Sequence, residues 1–67
     1  MTLGERVLIW RRRRNLTQQA LAEACDLHIT YIGGIERGKR NPSYLSLVKM
    51  AKALNISLTE LLRISGK

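Results

Sequence analysis

The chain has one cysteine, one histidine and one proline among its 67 residues, and only five acidic side chains. A lone cysteine excludes an internal disulfide, and with a single histidine beside it no Cys/His metal set can be assembled. The natural setting for such a chain is reducing and cytoplasmic. The longest uninterrupted apolar run is Val7–Trp10, far short of the roughly 18 residues that a membrane span needs. No charged segment followed by a long apolar one marks a secretory leader. Paired carboxylates, a nucleophile beside a base and a phosphate-cradling loop are also missing. Cys25 and His28 have no partners of the kind catalysis requires, so an enzyme is not expected, and no cofactor, metal or small-molecule ligand is implied.

What the sequence has in excess is positive charge. Twelve Lys and Arg against five Asp and Glu give a net charge of +7. On so small a body that excess favours a polyanionic partner such as nucleic acid, although solubility alone can also call for charge. The length allows one domain, residues 1–67, and little spare core, because a chain of this size buries only about 60% of its unfolded surface.

The informative stretch runs from Thr17 to Lys39. Leu21, Ala22 and Cys25 share one face of a 3.6-residue period, and Ile32 and Ile35 form a matching stripe further on. Thr17 has N-cap chemistry for a helix over Gln18 to Cys25. Asp26 stands at a sharp turn, and His28 caps a second helix that runs to about Arg37 and stops at Gly38. Ala22 is small where two steeply crossing helices need close backbones. Two short helices joined in this way form a helix-turn-helix, whose second helix can enter a DNA major groove.

The remainder reads as helix throughout, so the fold class is all-α. Thr2 and Glu5 match a capping box opening the first helix, whose inward stripe is Leu3, Val7 and Trp10. Arg11 to Arg14 fall in its last turn, where the helix dipole favours cations; phosphate contact is the alternative. Asn15 is a candidate left-handed stop. Ser43 caps a fourth helix with Tyr44, Leu47, Met50, Ala51 and Leu54 on its core face, and Asn55 ends it. Ser57 and Glu60 open a short fifth helix carrying Leu58, Leu61, Leu62 and Ile64. Those four are more apolar surface than so short a helix buries internally, which points to a dimer interface; packing into the monomer core is the alternative.

Several segments together resemble a known family. Leu3-Gly4-Glu5-Arg6-Val7, Leu16-Thr17-Gln18, Leu21-Ala22, Ile32, Ile35-Glu36-Arg37-Gly38-Lys39 and Met50-Ala51-Lys52-Ala53-Leu54 are similar to the lambda-repressor-like helix-turn-helix regulators of the Cro/cI, or xenobiotic-response-element, type. Tyr31-Ile32 followed by Ile35 through Ser43 looks most like the controller proteins of restriction–modification systems. The resemblance implies a compact five-helix domain, a homodimer on a pseudo-palindromic operator, and an ion pair between Arg11 and Glu36. Asn15, Asp26 and Asn55 stand where such proteins commonly carry glycine, and Asn and Asp are the next most tolerant of positive φ. Ile29 stands where controller-type proteins often have arginine.

With Ile32 and Ile35 inward, the opposite flank of the third helix carries Ile29, Thr30, Gly33, Gly34 and Arg37. Thr30 is the candidate for a hydrogen bond to a base edge and Ile29 for contact with a thymine methyl. Gly33 and Gly34 read either as tolerant surface positions or as a bare flank that lets the helix approach DNA closely. Gln18, His28, Arg37, Lys39, Arg40, Asn41 and Ser43 are the candidates for holding the DNA backbone. So thin a set of base readers implies specificity drawn largely from operator shape. The rival reading is an antitoxin-like or adaptor protein that docks another protein near Leu8, Ile9 and Leu45.

Overall fold

Every helix begins on a side chain that accepts a hydrogen bond from the backbone one turn in. The computed structural model describes residues 2–63 and contains, in order, α1 (Leu3–Arg13), α2 (Gln18–Cys25), α3 (Ile29–Glu36), α4 (Tyr44–Leu54) and α5 (Leu58–Leu62). Thr2, Thr17, His28, Ser43 and Ser57 are the five caps. The Thr2–Glu5 box is reciprocal: Glu5 N–H donates to Thr2 Oγ1 at 3.2 Å, and Thr2 N–H donates to Glu5 Oε1 at 2.9 Å. Helix ends follow the same local logic. Asn15, Asp26 and Asn55 adopt φ of 58°, 59° and 59°, and Gly38 turns the chain after α3 at φ 77°.

α1 packs on α3, α2 on α3 and α4, and α5 closes the bundle against α1 and α4. Val7, Leu21, Ile32, Ile35, Met50, Leu54 and Leu61 are fully buried at the centre, with Ala22, Cys25 and Ala51 filling between them. Burial pushes the Cys25 thiol up to about 11, against a smaller opposing effect of Lys49. The thiol therefore stays protonated and serves as a small packing group.

Three assignments made from periodicity change. α1 buries Gly4, Val7 and Arg11, so its inward stripe is rotated and Leu3 and Trp10 lie half-buried beside it. On α4 Tyr44 is 73% exposed, and Ser46 takes its place on the face of Met50 and Leu54. A hydroxyl can sit there because Ser46 Oγ is 3.0 Å from Ser43 Oγ, which satisfies it. Leu61, assigned to a dimer surface, is fully buried in the monomer core, and Leu58 is half-buried; Leu62, 40% exposed, faces out. The cause is Arg6, which donates from Nε to Leu61 O at 2.8 Å and from Nη2 to Glu60 O at 2.7 Å. These bonds hold the end of α5 against α1. Ile64 lies outside the described residues. Leu8 and Ile9 are half-buried, whereas Leu45 is 61% exposed.

The arginine run also serves a different purpose from the dipole of its own helix. Arg14 donates from Nε to Leu54 O at 2.7 Å, closing the end of α4. Arg13 and Arg14 lie 5.0 and 5.3 Å from the centre of the Trp10 ring, within cation–π range.

Gly4 is where α1 meets α3. A Cβ built there collides with Ile35 O and comes within 2.9 Å of Glu36 O. Both obstacles are backbone, so neither can swing aside. Gly4→Ala is therefore expected to push α1 off α3 and cost about 3 kcal/mol, the upper part of the range for overpacking. Chemical denaturation checks this, and a midpoint equal to that of the parent chain contradicts the close approach.

Candidate nucleic-acid interface

The α2–α3 corner is built from local signals. Asp26 takes the left-handed turn, Leu27 N–H returns to Ala22 O at 2.9 Å, and His28 Nδ1 accepts from Thr30 N–H at 3.1 Å. What fixes α3 in space is the carboxylate of Glu36 at its far end. Arg11 donates to it from Nε at 2.7 Å and from Nη2 at 3.2 Å, and Gln18 Nε2 donates at 2.9 Å. Arg11 Nη1 reaches Leu16 O at 2.9 Å, so its fork also ties down the link between α1 and α2. The side chains of Arg11 and Glu36 are 11% and 5% exposed. The ion pair implied by the family resemblance is thus present. Gln18, read from the sequence as a phosphate contact, first of all fastens α2 to α3.

The outer flank of α3 is not bare. Thr30 is exposed and Ile29 is half-buried against the core, but Gly33 and Gly34 are both buried. A Cβ built on Gly33 comes 3.1 Å from Arg37 Nη1 and 3.7 Å from Gln18 Nε2; one built on Gly34 comes 2.6 Å from Arg40 Cγ. Helical side chains lean back toward the N-terminus. Arg37, at the end of α3, therefore brings its Nη1 over Gly33, while Arg40, returned by the Gly38 turn, packs its stem over Gly34. The glycines are the floor beneath two arginines rather than an uncovered approach to DNA.

Around this floor lies an open groove of about 480 Å³ lined by Thr30, Gly34, Arg37, Lys39 and Arg40. Gly38 turns the chain so that Lys39 N–H and Arg40 N–H both reach back to Gly34 O, at 2.8 and 3.2 Å. Arg37, Lys39, Arg40, Asn41 and Ser43 are all exposed on this side, as is His28. All six side chains carry a donor suited to phosphate, and three carry fixed positive charge.

Tyr31, which the sequence marks only as part of the controller-like segment and not as a site residue, belongs to this site. Its hydroxyl accepts from Ser43 N–H at 3.2 Å, and the Arg40 guanidinium sits 5.6 Å from its ring centre. A hydrogen bond with Ser46 is the main influence lowering the phenol below its usual range, with smaller contributions from Ser43 and Arg40 and opposition from burial. Tyr31 pins the loop after α3 to the start of α4. An aromatic residue on α3, one helical turn before Ile35 and beside the two glycines, was the signal available in the spacing.

Since the Glu36 carboxylate is buried, removing its counter-charge leaves a charge without compensation. Arg11→Ala is expected to cost about 3–5 kcal/mol, whereas replacing both partners with apolar residues of similar volume recovers much of that loss. Urea denaturation of the single and double variants measures the difference. Equal destabilisation in both variants contradicts the arrangement.

Comparison with known proteins agrees with this geometry. Residues 8–61 match the Helix-turn-helix family. The control protein C.SmaI of Serratia marcescens is 47% identical over 64 residues, which cover 96% of this chain and 76% of that protein. The crystal structure of the restriction–modification controller C.AhdI from Aeromonas hydrophila superposes with a TM-score of 0.88 at 40% identity, covering 90% of this chain and 91% of that one. SinR, the master regulator for biofilm formation, solved in complex with DNA, gives a TM-score of 0.88 at 30% identity over 92% of this chain and 100% of its own. The chain belongs to the helix-turn-helix family and is a DNA-binding transcriptional regulator similar to the restriction–modification controller proteins.

Proposed function

We propose that this regulator binds a pseudo-palindromic duplex operator as a homodimer, with α3 in the major groove, and that it controls a restriction–modification system. The observation that carries the reading is the cationic groove on the outer side of α3, where Thr30, Arg37, Lys39 and Arg40 converge. The printed roles of C.SmaI and C.AhdI support the controller assignment, and the DNA complex of SinR supports duplex DNA as the ligand.

In this reading Thr30 reaches a base edge, and Ile29, half-buried, offers its remaining surface to a thymine methyl. Lys39, Arg40, Asn41 and Ser43 hold the backbone on one side of the groove. Gln18, His28 and the first amides of α2 hold it on the other. Gln18 can serve both Glu36 and a phosphate because its amide carries two donor hydrogens. With few side chains at the bases, operator deformability and groove width supply a large part of the specificity. The exposed side of α5, with Leu62 outermost and Leu58 beside it, is the dimer surface. Two-fold pairing then sets the recognition helices about one DNA turn, roughly 34 Å, apart.

Selection from a random duplex pool at a fixed salt concentration is expected to recover a motif with two related half-sites whose centres are about one helical turn apart. Failure to enrich any motif overturns the operator reading. Lys39→Ala is expected to weaken binding to all sequences alike and to make the slope of log K against log salt shallower by about one unit. A changed base preference at an unaltered slope contradicts a phosphate role for Lys39.

A further inference from the structure

The arginines differ in what holds them. Arg6, Arg11 and Arg14 have their guanidinium groups committed to carbonyls or to Glu36 inside the fold. Arg37 is placed differently. Among the described residues no hydrogen bond or ion pair takes up its guanidinium, and its position is defined by the glycine beneath it. Nη1 lies 3.1 Å from where a Cβ of Gly33 would stand. The head group of a residue just past the C-terminal end of α3 is thus carried a full turn back, to Gly33 at the middle of the helix. The N-terminal half, which a helix in the major groove turns to the base edges, adjoins that point.

We propose that Arg37 is a specificity-determining residue, its guanidinium laid along the track left by Gly33 so that it reads a guanine in the major groove. This inference rests on the placement of α3 in that groove. Three features support it. Backbone geometry directs the side chain: Arg37 retains helical torsions (φ −87°, ψ −2°), so its Cβ points toward the helix N-terminus. Gln18 forms a wall beside the track, with Nε2 and Oε1 at 3.7 and 3.8 Å from the same Gly33 position. That wall is itself fixed by the bond from Gln18 to Glu36. Finally, the guanidinium is a planar fork that matches O6 and N7 of guanine with two parallel hydrogen bonds.

Arg40 is the useful contrast. Its stem rests on Gly34, but its guanidinium is drawn over the Tyr31 ring. It stays with the phosphate contacts. The sequence pattern had grouped Arg37 with those contacts as well, because spacing alone shows that 37 is outward but not how far back its head reaches.

The test uses the intact chain and four proteins: the parent, Arg37→Ala, Gly33→Ala and Lys39→Ala. Gly33→Ala keeps every charge. Its new methyl crowds Arg37 Nη1 at 3.1 Å and meets the Gln18 amide only at ordinary van der Waals distance, so the fold survives while the guanidinium is displaced from its track; thermal melts by circular dichroism check the first part. Motifs are selected from a random duplex pool at one salt concentration, and affinities are then measured for every single base-pair change. The parent is expected to prefer G·C at one position of each half-site on the order of tenfold to a hundredfold. Arg37→Ala and Gly33→Ala should both lose most of that preference at that pair, Gly33→Ala with the salt slope unchanged. Lys39→Ala should keep the preference and lose slope. If Arg37→Ala weakens all sequences equally, or Gly33→Ala keeps the parent's profile, the inference is overturned while the operator reading stands. If the parent enriches no motif at all, the placement of α3 in the groove fails, and the inference fails with it.

Discussion

The whole arrangement turns on the carboxylate of Glu36. It is almost wholly buried, and it draws donors from Arg11 on α1 and Gln18 on α2 while belonging to α3. A buried ion pair seldom adds much net stability, because desolvation offsets the attraction. What it adds here is geometry. Two bonds from a planar guanidinium and one from an amide fix both the position and the rotation of α3. An apolar cluster of the same volume constrains rotation less. Gly4 acts at the same place by letting α1 come against the carbonyls of Ile35 and Glu36. Among the described residues no buried side-chain nitrogen or oxygen lacks a partner, so the polar centre is complete rather than a compromise.

Net charge is a poor guide to where this molecule keeps its cations available to a partner. The +7 excess first suggests a continuous basic surface, and the run Arg11 to Arg14 looks like its densest part. The structure divides the cations by what lies within reach of each. Helix C-termini expose carbonyls without partners, and here carbonyls at the ends of α4 and α5 are met by Arg14, just after α1, and by Arg6 within it. Arg11 is committed to Glu36. The cations left on the α3 side, Arg37, Lys39 and Arg40, are few, and the Gly38 turn gathers them.

Features set by neighbours in sequence were legible before the structure was known. The five caps, the left-handed residues at 15, 26 and 55, the stripes of α2 and α3 and the family resemblance all depend on residues close in sequence or on a motif. What could not be read depends on side chains arriving from elsewhere. The register of α1 turned because an arginine, not an apolar residue, faces inward at position 11. Tyr44 and Ser46 exchanged roles because a hydroxyl partnered by Ser43 is acceptable where a bare one is not. Leu61 joined the core because Arg6 holds the end of α5. Gly33 and Gly34 appear open in a helical wheel, which carries no information about long side chains folding back from the following turn.

That last point bears on how α3 can exist at all. Eight residues are too few for a stable isolated helix, and each of the two glycines costs roughly 1 kcal/mol relative to alanine. Propensity alone therefore argues against a helix at the segment that must be best ordered. It is helical because tertiary contacts hold it along its length. His28 caps one end, Ile32 and Ile35 anchor the middle, Glu36 is held at the other end, and Tyr31 ties the flank to Ser43. The glycines then remove bulk from the outer flank without loosening it, since the backbone is restrained from the inner side. A surface formed in this way is stiff in its backbone and adjustable in two long cationic side chains. Those are the properties that the proposed reading of an operator, partly by shape and partly by a small number of directed contacts, calls for.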